Sequence, residues 1–83
     1  NTLGRTKVIT IKASIFRTWA KAYLVNVYAA QGEVDDYFAS ATLADAKLWV
    51  EKNYAIPMPC HWKQTKVDGE ITGHTLEWKE EIL

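Results

Sequence analysis

The chain has little with which to build a covalent or metal-held framework. Cys60 is the only cysteine in 83 residues, so an intrachain disulfide and a multi-thiolate zinc site are both excluded. A lone thiol fits a reducing compartment, and the expected location is cytoplasmic. Proline occurs only at Pro57 and Pro59, and glycine only at Gly4, Gly32, Gly69 and Gly73. None of these glycines falls into a G-x-G-x-x-G or Walker spacing, so no phosphate-cradling loop is expected. No apolar run approaches the roughly 18 residues that a spanning helix needs, and no secretory-signal pattern is visible. No membrane partner is expected. Acidic residues are missing from the first 32 positions, which hold Arg5, Lys7, Lys12, Arg17 and Lys21. The remainder holds all ten acids and five lysines, so +5 faces −5 and the net charge is zero. Pairing of basic with acidic strands in one sheet accounts for such a split; a charged binding surface is the other explanation.

Aromatic area is what the chain has in quantity: Trp19, Trp49, Trp62, Trp78, Tyr23, Tyr28, Tyr37, Tyr54, Phe16 and Phe38. Each can bury about 150–250 Å². A domain of this length hides only about 60–65% of its unfolded surface, so some of these rings are expected on the outside.

Residues 1–6 read as a loose start. Lys7–Phe16 alternates, with Ile9, Ile11, Ala13 and Ile15 on one face and Val8, Thr10, Lys12, Ser14 and Phe16 on the other, the period of a half-buried strand. Thr18–Ala30 is read as a second strand, central in the sheet because both its faces are partly apolar. A helix over Ser14–Ala22, with Ile15, Trp19 and Ala22 along one side, is the alternative there. Gln31-Gly32 turns the chain into a third strand, Glu33–Ser40. Thr42 is a good N-cap, with Asp45 three residues on. Ala46, Trp49, Val50 and Asn53 then share one helical face, with Leu43 nearby, and Pro57 and Pro59 stop the helix near Asn53. Cys60–Val67 and Glu70–Trp78 read as strands joined at Asp68-Gly69, the dipeptide of a tight hairpin. Gly73 marks a bulge, and Lys79–Leu83 reads as a charged tail. The expected fold is a single α+β domain over residues 1–83. Its antiparallel sheet has about five strands, in chain order β-β-β-α-β-β, with one helix packed on one face. Lys7–Phe16 or Glu70–Trp78 is expected at the edge, where a strand can pair with another chain to make a homodimer.

No catalytic constellation emerges. Cys60 and His61 are adjacent, so on a strand they point apart, and His74 completes neither a tetrahedral metal site nor a Cys–His pair. Asp35-Asp36 and Glu80-Glu81 are likewise neighbours that face opposite ways, not carboxylates on two walls of a cleft. The expectation is a chain that is not an enzyme, without cofactor or metal.

Two functions remain. Lys12, Arg17 and Lys21 interleave with Trp19 and Tyr23, a pattern that can track phosphates and stack bases. The outline W…VYAAQGEVDDYF…T…A…W, from Trp19 to Trp49, is similar to the three-strand-plus-helix arm-binding domains of phage-type integrases. The resemblance covers under half of the chain. It implies that strands of the sheet enter a DNA groove. Glu33, Asp35 and Asp36 stand where that pattern wants basic residues, and the zero net charge lacks the usual electrostatic footprint. The leading expectation is therefore a small protein-interaction module, an accessory or inhibitor protein of a phage or mobile element. It would use Asp35, Asp36 and Tyr37, or Arg17 and Lys21, against a protein partner or itself. The alternative is a nucleic-acid-binding module that uses Lys12, Arg17 and Lys21.

Overall fold

The computed structural model describes residues 7–18 and 20–82. The loose start expected at 1–6, Trp19 and Leu83 lie outside the described residues. The elements are β1 (Lys7–Arg17), β2 (Tyr23–Ala29), β3 (Asp35–Ser40), α1 (Leu43–Asn53), β4 (Lys63–Val67) and β5 (Glu70–Ile82). They form one five-stranded antiparallel sheet, in spatial order β3-β2-β1-β5-β4, with the helix on one face. The β-β-β-α-β-β order and the α+β class are as the sequence predicts.

The first strand lies at the centre, and this corrects the expectation that Lys7–Phe16 or Glu70–Trp78 is an edge. β1 pairs with β2 from Ile11↔Ala29 to Arg17↔Tyr23, and with β5 from Lys7↔Ile82 to Phe16↔Gly73. The reason is burial: Ile11 and Ala13 are 0% exposed and Ile15 is 1%. A strand with so apolar a face is best sealed when both its flanks are paired. The edges are β3 and β4. Every residue of β4 is exposed, it is short, and it carries Lys63 and Lys66, the composition that discourages edge pairing. On β3 the Asp36 carboxylate accepts the Tyr37 backbone N–H at 2.9 Å, so one backbone donor of that edge is already occupied.

β2 begins at Tyr23, not Thr18. The chain reverses through a loop closed by Lys21 N–H donating to the Thr18 carbonyl (3.0 Å) and Thr18 N–H donating to the Ala22 carbonyl (2.8 Å). Lys21 supplies the positive φ (62°) that the turn needs without a glycine. The helical alternative over Ser14–Ala22 fails because Ser14–Arg17 are laddered as strand. Asp68 (φ 51°) and Gly69 (φ 83°) make the expected two-residue hairpin turn between Val67 and Glu70. The bulge falls beside Gly73: Thr65 pairs with Gly73 and Lys66 with Ile71, so Thr72 is the extra residue, its hydroxyl donating to the Thr65 carbonyl at 3.2 Å. Gly73 has its own requirement, since a Cβ there would sit 2.9 Å from the Ile15 carbonyl oxygen.

The expected tail does not exist as such. Period two continues through Leu76, Trp78 and Glu80, and β5 runs on to Ile82 against the start of β1. β4, in contrast, begins at Lys63, because Cys60–Trp62 still belong to the segment that crosses from the helix. α1 starts at the Thr42 cap, whose hydroxyl accepts the Asp45 N–H at 3.1 Å. It ends where the Asn53 side-chain amide donates to the Trp49 carbonyl at 2.7 Å. Ala46 and Val50 are fully buried on the sheet, and Leu43 and Trp49 pack against the same core. Asn53, expected on that face, is exposed. Part of the uneven charge is paired across the fold: Lys7 reaches Glu33 of the β2–β3 turn at 3.1 Å and, within the sheet, Lys12 lies 3.9 Å from Glu77.

The three backbone requirements separate by experiment. Gly73→Ala should cost about 1–3 kcal/mol through overpacking against β1. Gly69→Ala should cost about 1 kcal/mol, since nothing lies within 4 Å and only its left-handed backbone resists. Lys21→Gly should stabilise by about 0.5 kcal/mol, the relief of a left-handed residue less the added freedom of the unfolded chain. Urea unfolding of the three variants checks this ranking.

Candidate functional site

The two faces of the sheet differ in kind. On the covered face, aromatic rings form a chain from β3 across the helix to β5. Phe38 stacks on Trp49 (centroids 4.8 Å apart, planes at 4°), Trp49 meets Tyr54 edge-on at 6.1 Å, and Tyr54 leans on Trp78 at 5.7 Å. Three carboxylates fasten the segment from Tyr54 to Trp62, which crosses this face beyond the helix. Asp36 accepts the Tyr54 hydroxyl at 2.8 Å. Glu51 accepts the Trp62 indole N–H at 3.1 Å and the Cys60 thiol at 3.8 Å. Glu80 accepts the Ala55 N–H at 3.1 Å and the Trp78 indole N–H at 3.4 Å. The Met58–Pro59 peptide in this segment is cis.

These contacts define what the titratable groups can do. Burial, then the Glu51 carboxylate, push the Cys60 thiol above its ordinary pKa, the opposite of an activated nucleophile. Burial, then the hydrogen bond to Asp36, push the Tyr54 phenol up to about 12. Burial, then the charge of Lys47, hold the His74 imidazole below its ordinary value. Among the described residues no three of His, Cys, Asp and Glu gather closely enough to hold a metal ion. No described helix is long and apolar enough to cross a membrane.

The other face is covered by no described element. Val8, Thr10, Lys12, Ser14 and Phe16 of β1 lie on it, alternating with the buried set. Register extends the face sideways: Phe16 pairs with Leu24 and Leu24 with Ala39, Ser14 with Asn26 and Asn26 with Tyr37, Lys12 with Tyr28 and Tyr28 with Asp35. On the far side Lys12 pairs with Glu77, Thr10 with Lys79 and Val8 with Glu81. Val8 is 56% exposed, Phe16 42% and Tyr37 60%, while Leu24 and Tyr28 are half-buried between them. Asn26 Oδ1 is sealed from solvent with no hydrogen-bond partner, a polar atom left unsatisfied at the middle of this face.

The residues singled out from sequence are dispersed by the fold. Asp35 and Tyr37 share the open face, whereas Asp36 points to the covered face and is occupied by Tyr54. Lys12 sits mid-sheet on the open face beside Glu77, Arg17 has the opposite parity at the end of β1, and Lys21 is in the hairpin loop. The basic residues therefore do not form one track. Sequence reasoning missed Glu51 and Glu80 as fastening groups. Glu80 was legible in the continuing period of β5. Glu51 was not, because its partners Trp62 and Cys60 reach it only through the crossing segment.

No protein-family model matches the chain, and no curated protein or solved structure matches it significantly.

The Tyr54–Asp36 contact predicts an alkaline transition. The folded pKa of about 12 exceeds the ordinary 10.0, so the associated stability is intact below pH 10 and is lost as pH rises toward 12. An absorbance titration should show a late phenol step from Tyr54. Tyr54→Phe should remove that step, and its persistence would contradict the assignment.

Proposed function

We propose that the chain is a small non-enzymatic protein-interaction module that docks through the open face of its sheet, and that the first occupant of this face is a second copy of the chain. The observation that carries this reading is a sheet face without a covering layer that presents Val8, Phe16 and Tyr37 to solvent around half-buried Leu24 and Tyr28. Antiparallel sheets tolerate one solvated face, but such a face is normally polar. Exposed apolar and aromatic side chains interspersed with polar and charged ones, as here, make up the surface of many non-obligate interfaces.

A second copy fits for two reasons. The face carries Lys12, Lys63 and Lys79 against Asp35, Glu77 and Glu81, so two copies meet without a net like-charge penalty. Its outline, at strand spacings of about 4.8 Å and a rise of about 3.3 Å per residue, reaches roughly 700 Å², close to the ~800 Å² per partner of a standard interface. Two sheets can pack this way face to face, and a two-fold arrangement uses the same patch twice. The accessory or inhibitor role in a phage or mobile element, suggested by size and composition, belongs with this reading, since such a module acts by occupying a surface and not by chemistry.

Light scattering coupled to size exclusion tests it. The wild-type chain should run as a dimer at about 100 μM and dissociate on dilution, as expected for a micromolar interface. Val8→Glu/Phe16→Glu, two exposed positions, should be monomeric with an unchanged circular dichroism spectrum; a monomeric wild type would overturn the dimer. Nucleic-acid titration of the same sample decides the alternative. Binding that weakens steeply with salt and vanishes in Arg17→Glu/Lys21→Glu would replace protein docking with nucleic-acid recognition.

A further inference from the structure

A second feature lies on the covered side and is independent of the open face. Where β1, flanked by β5, emerges from under the start of the helix, a cleft of about 190 Å³ opens between Leu43, Ile15, Arg17, Tyr23, Thr72 and His74. Its floor is apolar, from Ile15 and Leu43, and its polar groups carry no acid.

Each polar group is available in a definite way. Arg17 is exposed and belongs to neither ion pair among the described residues, Lys7–Glu33 and Lys12–Glu77. Its guanidinium is a planar fork suited to a carboxylate. His74 is 9% exposed, and its Nδ1 is sealed without a partner. A buried N–H with no acceptor costs more than an unused lone pair, so the neutral ring keeps its proton on Nε2. The group is thus a hydrogen-bond donor at the cleft. Thr72 has already given its hydroxyl proton to the Thr65 carbonyl, which leaves Tyr23 as the hydroxyl donor. Leu43 is the first residue of α1, so the positive end of the helix dipole adjoins the same space. Lys47 adds charge from the helix, being near enough to disfavour protonation of His74.

We infer that this cleft binds a carboxylate bearing a small apolar group, with Arg17 as the ionic partner, Tyr23 and His74 as hydrogen-bond donors, and Ile15 and Leu43 beneath the apolar part. A single guanidinium with an apolar floor suits a planar monoanion better than a phosphate, which calls for several cationic or backbone donors. The carboxylate is either that of a free organic acid or the C-terminus of a peptide.

Amide-resolved NMR titration of the full chain distinguishes these sources with three probes: isocaproate as the free acid, N-acetyl-leucine as the peptide terminus, and N-acetyl-leucinamide as the neutral control. Saturable shifts at Arg17, Tyr23, Leu43 and His74 are expected with one or both acids and not with the amide. Response to isocaproate alone identifies a free acid, response to N-acetyl-leucine alone a peptide terminus, and response to both a site that reads only the carboxylate and its apolar group. Arg17→Gln, at an exposed position that leaves the core intact, should weaken binding by about tenfold or more. The His74 imidazole should titrate at higher pH when the acid is bound, because the anion offsets the charge of Lys47; a merely structural Arg17 would not produce that shift. No saturable shift with either acid up to about 10 mM, equal shifts with the amide, or unchanged affinity in Arg17→Gln would each overturn the proposal.

Discussion

The pairing of β1 with β5 is the constraint on which the rest of the molecule depends. It joins residues from Lys7↔Ile82 to Phe16↔Gly73, almost the full length of the chain apart. Until that ladder forms, Ile9, Ile11, Ala13 and Ile15 lack one flank, and Trp78 and Leu76 have no floor to pack beside. Each of these large side chains contributes about 1.5–3 kcal/mol when buried, so the sheet centre is where the folding free energy concentrates. Gly73 is the concession the ladder requires at its far end, where the Ile15 carbonyl approaches too closely for any side chain. The long loop closure implied by this topology also places folding among the slower, non-local classes.

Once the centre is set, a helix of eleven residues cannot roof the whole sheet. It covers β1, β2 and β3, and the segment after it must cover the rest. That segment has no regular backbone ladder to hold it, so side chains do the holding. Asp36, Glu51 and Glu80, one each from β3, α1 and β5, take its tyrosine, indole, thiol and backbone donors. The acidic excess of the C-terminal part is thereby partly structural. Three of its carboxylates serve as hydrogen-bond acceptors within the covered face and are not available as a binding surface.

What remains available is divided between two places with different chemistry. The open face is broad, flat, balanced in charge and partly apolar, suited to another protein surface. The cleft at the end of the covered face is small and cationic, suited to a single anionic group. Neither places an activated nucleophile or a pair of facing carboxylates, and Cys60 is held in its thiol form by burial and by the same Glu51 that fastens Trp62.

Local physics made much of this legible in advance. Alternation over Lys7–Phe16, the Thr42 cap, the helical face through Ala46 and Val50, and the Asp68-Gly69 turn each depend on residues within a few positions of one another, so the sequence alone determined the elements, their order and the α+β class. It also offered strand-to-strand charge pairing as one of two readings of the charge split, and Lys12 beside Glu77 is one such pair. Tertiary structure decided which strand is central, since order in a sheet depends on burial summed over both flanks and not on any local period. It decided that Asp35 and Tyr37 share a face while Asp36 turns away, and that Lys12 and Arg17 point to opposite sides, because parity along a strand separates neighbours that composition groups together. The cleft could not be read beforehand at all: Arg17, Tyr23, Leu43 and His74 come from four different elements, and while the β1–β2 hairpin pairs Arg17 with Tyr23, it takes the packing of the helix and the long-range β1–β5 register to bring Leu43 and His74 to the same place.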